Sequence, residues 1–585
     1  MNEQVDVVIV GSGVAGAVLA YRLSTLKKGL KILVLETGIN GIDDPFSVTS
    51  SDRPRYQNLY ALTVDRDSVS PYKRVASTAF APQPTAGPDE RHLVQGGPDP
   101  FKSNFARLLG GSTWAWRGNC PRFTPNDFRL KSTYHVGDDW PFSYDDLLPF
   151  YGEAEAELGI AGNTDEWDAA MQGPRGAPYP MKEIAQALGD QLLKRKLAEA
   201  GGGQPIVIEG RTIRVVATPQ ARISVPNYKH PGGKLTRKQC QGNASCIPIC
   251  PTGAKYDASV HIKLAELNGV EFRGGCPVTR VRIKEDGKIT GVSYRNMRED
   301  PKNDRDVDAA TVVLACNAIE TSRLWLYSKL DNARDLVGRN LMDHVQSDTV
   351  CFTPEAIFPF RGPQNTSSIP SFFDHPNRGT VSAFNISVGN DGWGRYADEK
   401  GKPKGPFDIL DELLWNPQSK RLAAYGKALQ QALAADPTTA LTHRLRLNFS
   451  TEQLPDPNNR VTLADDKDPL GIPRPKISYQ INDYTRRSLT YARGVCRQIL
   501  RTAKMTVEGT DLPNFNYSGA GHLMGTCRMG ASKAGSVVDP SGKSWAHDGL
   551  WVVGSSVFVT GSCANPTVTL VAVTLKTAKA MAAAI

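Results

Sequence analysis

Cys240, Cys246 and Cys250 fall within eleven residues, in the run C-Q-G-N-A-S-C-I-P-I-C-P-T-G-A. Thiolates at short spacing, in a loop shaped by Gly and Pro, are what an iron–sulfur cluster requires. Three ligands suit the three irons of a 3Fe–4S cluster, and a fourth from a distant cysteine would allow another nuclearity. Zinc is the competing metal, but the paired C-x2-C spacing of most zinc sites is missing. A disulfide plus one free thiol is the plainest alternative. A second pattern lies at the start of the chain. G-S-G-V-A-G places Gly11, Gly13 and Gly16 directly after an apolar run and ahead of a helical stretch, and Glu36 follows 25 residues past Gly11. Such glycines let backbone approach a pyrophosphate at a helix N-terminus, and the acid accepts hydrogen bonds from a ribose. A glycine-rich turn without a ligand is the alternative. Together the two patterns point to a redox enzyme with an electron exit.

The elements that must carry these residues are legible in part. Residues 5–10 (V-D-V-V-I-V) read as a buried parallel strand, followed by a helix to about Leu26 and a second strand ending at Glu36. Residues 40–105 are rich in Pro, Ser and Asp, and loops are expected there. G-G-S-T-W-A-W at 110–116 is a small-residue turn followed by aromatics; Trp114 and Trp116 could stack on a cofactor or pack a core. Amphipathic helices are expected over 145–200, including 183–199. Short strands are expected over 268–315. Residues 346–514 alternate strand-like runs (R-L-R-L-N-F, R-V-T-L, K-I-S-Y-Q-I) with a helix near 483–503, which predicts an antiparallel sheet. W-V-V-G at 551–554 reads as a buried strand returning to the first sheet.

Length and composition fit a globular protein of two or more domains: 585 residues, 40% apolar and 22% charged. Ten cysteines are too few for a disulfide scaffold of this size. The net charge of +9 is mild, and no nucleic-acid-binding motif accompanies it. The apolar stretch 5–20 is broken by glycines and preceded by acids, and the C-terminal run is broken by Asn565, Pro566 and Lys576. The chain is therefore expected to be soluble, with no membrane span and no export signal of its own. Arg211, Arg214, Arg222, Lys229, Lys234, Arg237 and Lys238 crowd residues 211–240 without a single acid. That run reads either as a solvated loop or as a positive collar for an acidic redox partner and an anionic cluster.

The N-terminal fingerprint, G-G-S-T-W at 110–114, C-N-A-I-E-T-S-R-L-W-L at 316–326, G-R-N-L-M-D-H at 338–344, H-L-M-G-T at 522–526, D-G-L-W-V-V-G-S-S at 548–556 and N-P-T at 565–567 occur in one order along the chain. Together they resemble the glucose–methanol–choline (GMC) oxidoreductases. P-N-D-F at 125–128, D-W-P at 139–141, the C-x5-C-x3-C run and D-P-L-G-I-P-R-P at 468–475 resemble, within that family, the catalytic subunit of bacterial FAD/3Fe–4S sugar dehydrogenases of the glucose, fructose, gluconate and glycoside 3-dehydrogenase types.

The resemblance implies an α/β, Rossmann-like FAD-binding domain formed by 1–345 and 515–585. Loops and helices would be inserted over 40–200, and a cluster segment would lie near 235–262. A second, α+β substrate domain over 346–514 would be built on the antiparallel sheet. FAD would be held by Gly11, Gly13, Gly16, Glu36, Gly110, Gly111, Ser112, Trp114, Val278, Gly554, Ser555, Pro566 and Thr567. His522 matches the family's catalytic base, and Asn565 the second catalytic position. An amide is no base, so Asn565 is expected to place the substrate oxygen. His344 is expected to be structural and His547 a loop residue. Gly554-Ser555-Ser556 stands where the family usually has an acid, so no carboxylate contact is carried over to that turn.

The expected reaction is oxidation of a sugar or glycoside CH–OH by hydride transfer to flavin, with electrons relayed through the cluster. An oxygen-using oxidase of the same fold is the main alternative, and an inert FAD-binding subunit a third. The resemblance also implies a small subunit with an export signal, a cytochrome c acceptor and a periplasmic location by co-export. A cytoplasmic enzyme is the alternative.

Overall fold

The apolar run at the start of the chain forms the strand Glu3–Val10, whose last four residues are buried. In the computed structural model its neighbours run parallel on both sides: Ile32–Leu35 and Asp300–Leu314, with Val8 opposite Leu33 and Val312. A strand covered on both faces needs continuous β-branched and aliphatic residues, as this one has. The structure describes residues 3–38, 92–390, 442–508 and 517–585, apart from 104, 108, 172–174, 243–245, 247–249, 251, 298 and 360, together with the backbone of a small ribbon at 396–397 and 403–404.

The first sheet runs in the order Val278–Ile283, Ile289–Asn296, Asp300–Leu314, Glu3–Val10, Ile32–Leu35, Glu271–Arg273, and Leu550–Val552 adds to Asp300–Leu314. The helix Val14–Leu26 packs on one side with Thr567–Ala584 and Ser259–Glu266. Thr567–Ala584 is long and apolar enough to cross a membrane. Its apolar residues are accounted for by Val14–Leu26 and Tyr144–Leu158, against which it packs with Val568, Val571, Ala572, Leu575 and Met581 buried.

The second sheet is antiparallel throughout: Thr506–Val507, Val345–Phe352, Arg444–Thr451, Phe384–Gly389, Ser367–Ile369, Val216–Ala217, with Ser518–Gly519 beside Val345–Phe352. It draws Val216–Ala217 and Ser518–Gly519 from outside 346–514. The period of two is strict. Leu445, Leu447, Phe449, Phe384, Ile386 and Val388 are buried toward one face, where the helix Asp483–Thr502 covers the sheet. That helix starts where Asn482 Oδ1 accepts from the N–H of Thr485 at 3.0 Å.

Several elements differ from the sequence reading. Strands Arg460–Lys467 and Pro473–Ser478 leave the second sheet and form their own three-stranded sheet with Val94–Gln95. The helix expected over 183–199 runs Leu188–Ala200. Its first residues are held extended because Ile184 packs with Met181 and Ile223, and Ala187 N–H bonds Thr366 Oγ1 at 3.0 Å. The last of the short strands expected over 268–315 is the long strand Asp300–Leu314. Pairing with Ile289–Asn296 carries it back through a charged stretch with no strand propensity of its own. The returning strand is Leu550–Val552 rather than 551–554. Most of the loop expectation for 40–105 lies outside the described residues.

Candidate active site

Gly13 ends the first strand's turn and caps the helix Val14–Leu26 with no side-chain hydrogen bond. The helix therefore presents free backbone N–H groups, and the positive end of its dipole, to what lies before it. What lies before it is a cavity of about 790 Å³, lined by Gly11, Gly13, Val14 and Ala15. Two other segments approach this turn through glycine. Gly111 (φ +58°) would place a Cβ 3.1 Å from Gly13 Cα, and Gly554 (φ +96°) would place one 3.4 Å from Ala15 Cβ. Glu36, buried at the cavity edge, accepts from Ser12 N at 2.9 Å and Ser12 Oγ at 2.8 Å, and from Gly38 N at 2.9 Å. Burial pushes its carboxyl up against the pull of these donors. An uncapped helix end, backbone without side chains and an anchored carboxylate fit a dinucleotide.

Among the residues expected to hold FAD, the cavity wall includes Gly11, Gly13, Glu36, Gly111, Ser112, Val278, Gly554, Ser555, Pro566 and Thr567. Gly16, Gly110 and Trp114 stand off that wall. Gly16 lets the helix approach the Gly11 carbonyl, where a Cβ would lie 2.0 Å from oxygen. Trp114 is packed into the core, its indole N–H on the Leu109 carbonyl at 2.7 Å, and Gly110 turns tightly over it. Trp116 is the tryptophan at the cavity.

His522 enters from a segment that G-R-N-L-M-D-H builds. Asp343 Oδ1 accepts from His522 N at 2.8 Å, and Asp343 Oδ2 from Ala520 N at 3.1 Å. Gly519 is required there, because a Cβ would fall 2.0 Å from Ser103 Oγ. His344 is buried beneath, edge-on to His522, with ring centroids 4.8 Å apart. Their Nδ1 atoms are 2.8 Å apart, and His344 Nε2 sits 3.1 Å from the Gly561 carbonyl. A carbonyl only accepts, so His344 Nε2 carries the proton and its Nδ1 is bare. His522 Nδ1 must then donate, which leaves His522 Nε2 as a lone pair facing Asn565 Nδ2 at 3.2 Å. His344, expected to be structural, is thus the residue that fixes the tautomer of His522.

P-N-D-F holds the floor of this arrangement. Asp127 accepts from Ser562 Oγ at 2.8 Å, and its backbone carbonyl from Thr560 Oγ1 at 3.1 Å, which sets the Gly561 carbonyl under His344. Asp127 and Glu452 flank the fully buried Arg378. Asn565 and Pro566 precede the helix Thr567–Ala584, a second helix end without a side-chain cap at the cavity. His547 lies away, bonded to Asp331 N and the Gly287 carbonyl.

Burial first, and the neighbouring His344 second, hold His522 well below the usual 6.5. It is neutral, and able to accept a proton, through neutral pH and some way below it. Anaerobic flavin reduction should therefore stay flat as pH falls through 6.5 and decline only well below it. A stopped-flow profile with an inflection near 6.5 would show that the working base is a different, solvated group.

The far wall is the polar face of the second sheet. Gln346 and Asp348, Arg446, Asn448 and Ser450, and Asn385 and Ser387 all line the cavity from three adjacent strands. Asn448 stands opposite Asp348 on one side and Ser387 on the other. Arg446 pairs with Asp348 at 3.2 Å. Asn385 Oδ1, Asn448 Nδ2 and, from the neighbouring segment, Asn365 Oδ1 are buried without a hydrogen-bond partner. The sheet residues among them escape sequence reading because the alternate positions of a strand that face a cavity have the same pattern as those that face solvent.

The cysteine segment lies behind the 110–117 loop. None of the ten cysteines is paired. Cys246 is buried, and Cys240 and Cys250 are half-buried. Burial opposes ionisation of Cys250. The N–H groups of Lys255 and Thr252, the Thr252 hydroxyl and the Lys255 charge outweigh it and draw the thiol below its usual range. Of the basic run, Arg222 and Arg237 turn inward and Arg211 bonds the carbonyls of Ser371 and Asp374, leaving Arg214, Lys229, Lys234 and Lys238 exposed. A second ligand-like group, Glu157 with His230 and His261, is buried nearby. It is closed on itself. Both Nε2 atoms reach Glu157 Oε2, at 3.1 and 3.0 Å, while His230 Nδ1 accepts from Gly232 N–H and His261 Nδ1 faces the Tyr256 hydroxyl.

Comparison with known proteins agrees with this geometry. Two family models described as GMC oxidoreductase match residues 231–346 and 455–574. The fructose dehydrogenase large subunit of Gluconobacter japonicus is 31% identical, over 98% of this chain and 97% of that protein. The 6'''-hydroxyparomomycin C oxidase of Streptomyces lividus is 28% identical, over 99% and 91%. Among solved structures, pyridoxine 4-oxidase from Mesorbium loti superposes with a TM-score of 0.60 at 18% identity, covering 98% of this chain and 99% of that one. The dinucleotide cradle, the histidine–asparagine pair above it and these matches over nearly the whole chain have one reading: the protein belongs to the GMC oxidoreductases, and is an FAD-dependent enzyme that oxidises CH–OH groups of alcohols or sugars.

Proposed function

We propose that the chain is a sugar or glycoside dehydrogenase that passes electrons from FAD through a 3Fe–4S cluster to a protein acceptor. The observation that carries the substrate class is the polar sheet face with its three partnerless amide atoms, on Asn365, Asn385 and Asn448. Each such buried group left unpaired costs about 1–3 kcal/mol, so an apolar alcohol is a poor occupant and a polyol a good one. Arg446 is paired with Asp348, which favours an uncharged sugar over an anionic one. The fructose dehydrogenase relative is named for a sugar substrate.

In this reading Gly13, Glu36 and Pro566–Thr567 would hold FAD, which would supply the hydride acceptor. His522 Nε2 takes the hydroxyl proton, and Asn565 holds the oxygen. The substrate carbon loses its hydride and becomes a carbonyl. A cluster held by Cys240, Cys246 and Cys250 would supply one-electron transfer to a protein acceptor, two acceptor reductions balancing each alcohol oxidised.

Cys240, Cys246 and Cys250 would hold the cluster. The donor set suits it: three thiols outside any disulfide, one of them drawn below its usual range by neighbouring N–H groups, close to buried cations. A mononuclear zinc site would bring three thiolates within about 4 Å of one another; among the described residues these thiols form no such group. The fructose dehydrogenase relative is named as a large subunit. A small subunit carrying an export signal, a cytochrome c acceptor and a periplasmic location belong to the same proposal, since a thiolate-held cluster is best assembled where thiols stay reduced, before export of the folded complex.

The test is anaerobic bleaching of the purified flavoprotein with a panel of sugars, with iron and labile sulfide measured alongside. Asn448→Ala should raise KM for the best sugar about tenfold, the loss of one well-made hydrogen bond to a buried partner, with a smaller effect on kcat. Bleaching by simple alcohols but no sugar would overturn the substrate class. Rapid oxygen reduction by an iron-free enzyme would favour the oxidase reading.

A further inference from the structure

Two fully buried cations stand between the cavity and the thiols. Lys255, 2% exposed, donates its ammonium to the carbonyls of Thr113 and Trp114 at 3.1 and 2.7 Å. Arg222, 1% exposed, grips the Arg117 carbonyl through Nε at 2.9 Å and through Nη2. The two residues face each other across a β-bridge. Their carbonyl partners belong to the 111–117 loop, whose Ser112, Thr113, Trp116 and Arg117 line the cavity. On the other side they meet sulfur. The Lys255 N–H bonds Cys250, the Lys255 charge acts on Cys250 and Cys246, and that of Arg222 acts on Cys240.

The charge balance here is incomplete. Both cations donate hydrogen bonds to neutral carbonyls, and Arg222 Nη1 is buried without a partner. Asp257 is the acid that acts on Lys255, and it is turned to Ser259, whose N–H it accepts at 3.1 Å. Buried cations are tolerated when something negative sits beside them. A thiolate-ligated cluster is that negative group, and it becomes more negative by one charge with each electron it takes.

Resting on the reading that Cys240, Cys246 and Cys250 hold a cluster, we propose that Lys255 and Arg222 are the positioning residues of the electron exit: they clamp the cavity loop to the cluster segment and provide the fixed positive charge that draws each electron from the flavin side to the cluster. No bond is made or broken in this step. One electron moves from reduced flavin to oxidised cluster, and the protein acceptor returns the cluster to its oxidised state.

The experiment is an EPR-monitored redox titration of the holoenzyme, with iron and labile sulfide counted in every sample. Lys255→Met should lower the cluster potential, so that the equilibrium constant for electron transfer from the flavin falls about tenfold, or about 59 mV for one electron. Lys255→Arg, which keeps the charge, should restore it. Asp257→Asn removes the opposing carboxylate and should move the potential the other way. A fully loaded Lys255→Met enzyme with the parent potential overturns the proposal. Should Lys255→Met come out iron-free, Asp257→Asn decides: a raised potential supports the proposal and an unchanged one overturns it. An iron-free parent enzyme would instead sink the cluster reading beneath it.

Discussion

His522→Ala should slow anaerobic flavin reduction by its sugar about a hundredfold or more, the scale usual for loss of a general base. The argument is one of direction as well as proximity. The Gly561 carbonyl forces the proton of His344 onto Nε2, His344 Nδ1 then accepts from His522, and His522 Nε2 is left bare toward Asn565. Removing the imidazole removes the only lone pair that this relay aims at the substrate oxygen. FAD should stay bound, because no residue of its cradle depends on the ring. Asn565→Ala should cost less, since it removes placement of the oxygen and leaves proton transfer in being. The measurement is single-turnover bleaching at saturating sugar for both variants. Near-normal bleaching by His522→Ala would place the base elsewhere, and a more severe loss in Asn565→Ala would reverse the two roles.

How much of this could be read from the chain follows from where the determinants sit. The strand–glycine–helix unit and Glu36 are local, so their pattern in sequence is their pattern in space. His522 and Asn565 were legible through the motifs around them. The relay through His344 was not, because it needs Asp127, Ser562 and Gly561 from two distant segments to set one carbonyl. The substrate wall was hidden for a different reason. R-L-R-L-N-F reads as an ordinary alternating strand; that Arg446 and Asn448 face a cavity rather than solvent depends on its neighbours in the antiparallel sheet. The basic run 211–240 is divided by the fold in a way composition does not show: Arg222 and Arg237 point inward and bind carbonyls, while Arg214, Lys229, Lys234 and Lys238 stay exposed. The split of the three strands Val94–Gln95, Arg460–Lys467 and Pro473–Ser478 into their own sheet is likewise a tertiary choice that strand propensity does not encode.

Cys246→Ser should separate the two halves of the reaction. Cys246 is the most buried of the three thiols, and a serine oxygen is a weak ligand for iron, so the cluster should fail to assemble and iron should fall to background. Reduction of a cytochrome or other one-electron protein acceptor should then drop at least tenfold. Sugar-driven bleaching of the flavin should persist. His522, Asn565 and the polar sheet face are held by Asp343, His344 and the strand Arg444–Thr451, none of which bonds the cysteine segment among the described residues. A small two-electron dye that reaches the cavity should still be reduced, which distinguishes a broken exit from a broken active site. The partner step is the discriminating one: a Cys246→Ser enzyme free of iron that still reduces its protein acceptor at the parent rate would mean that electrons leave from the flavin directly, and that the three cysteines serve the fold alone.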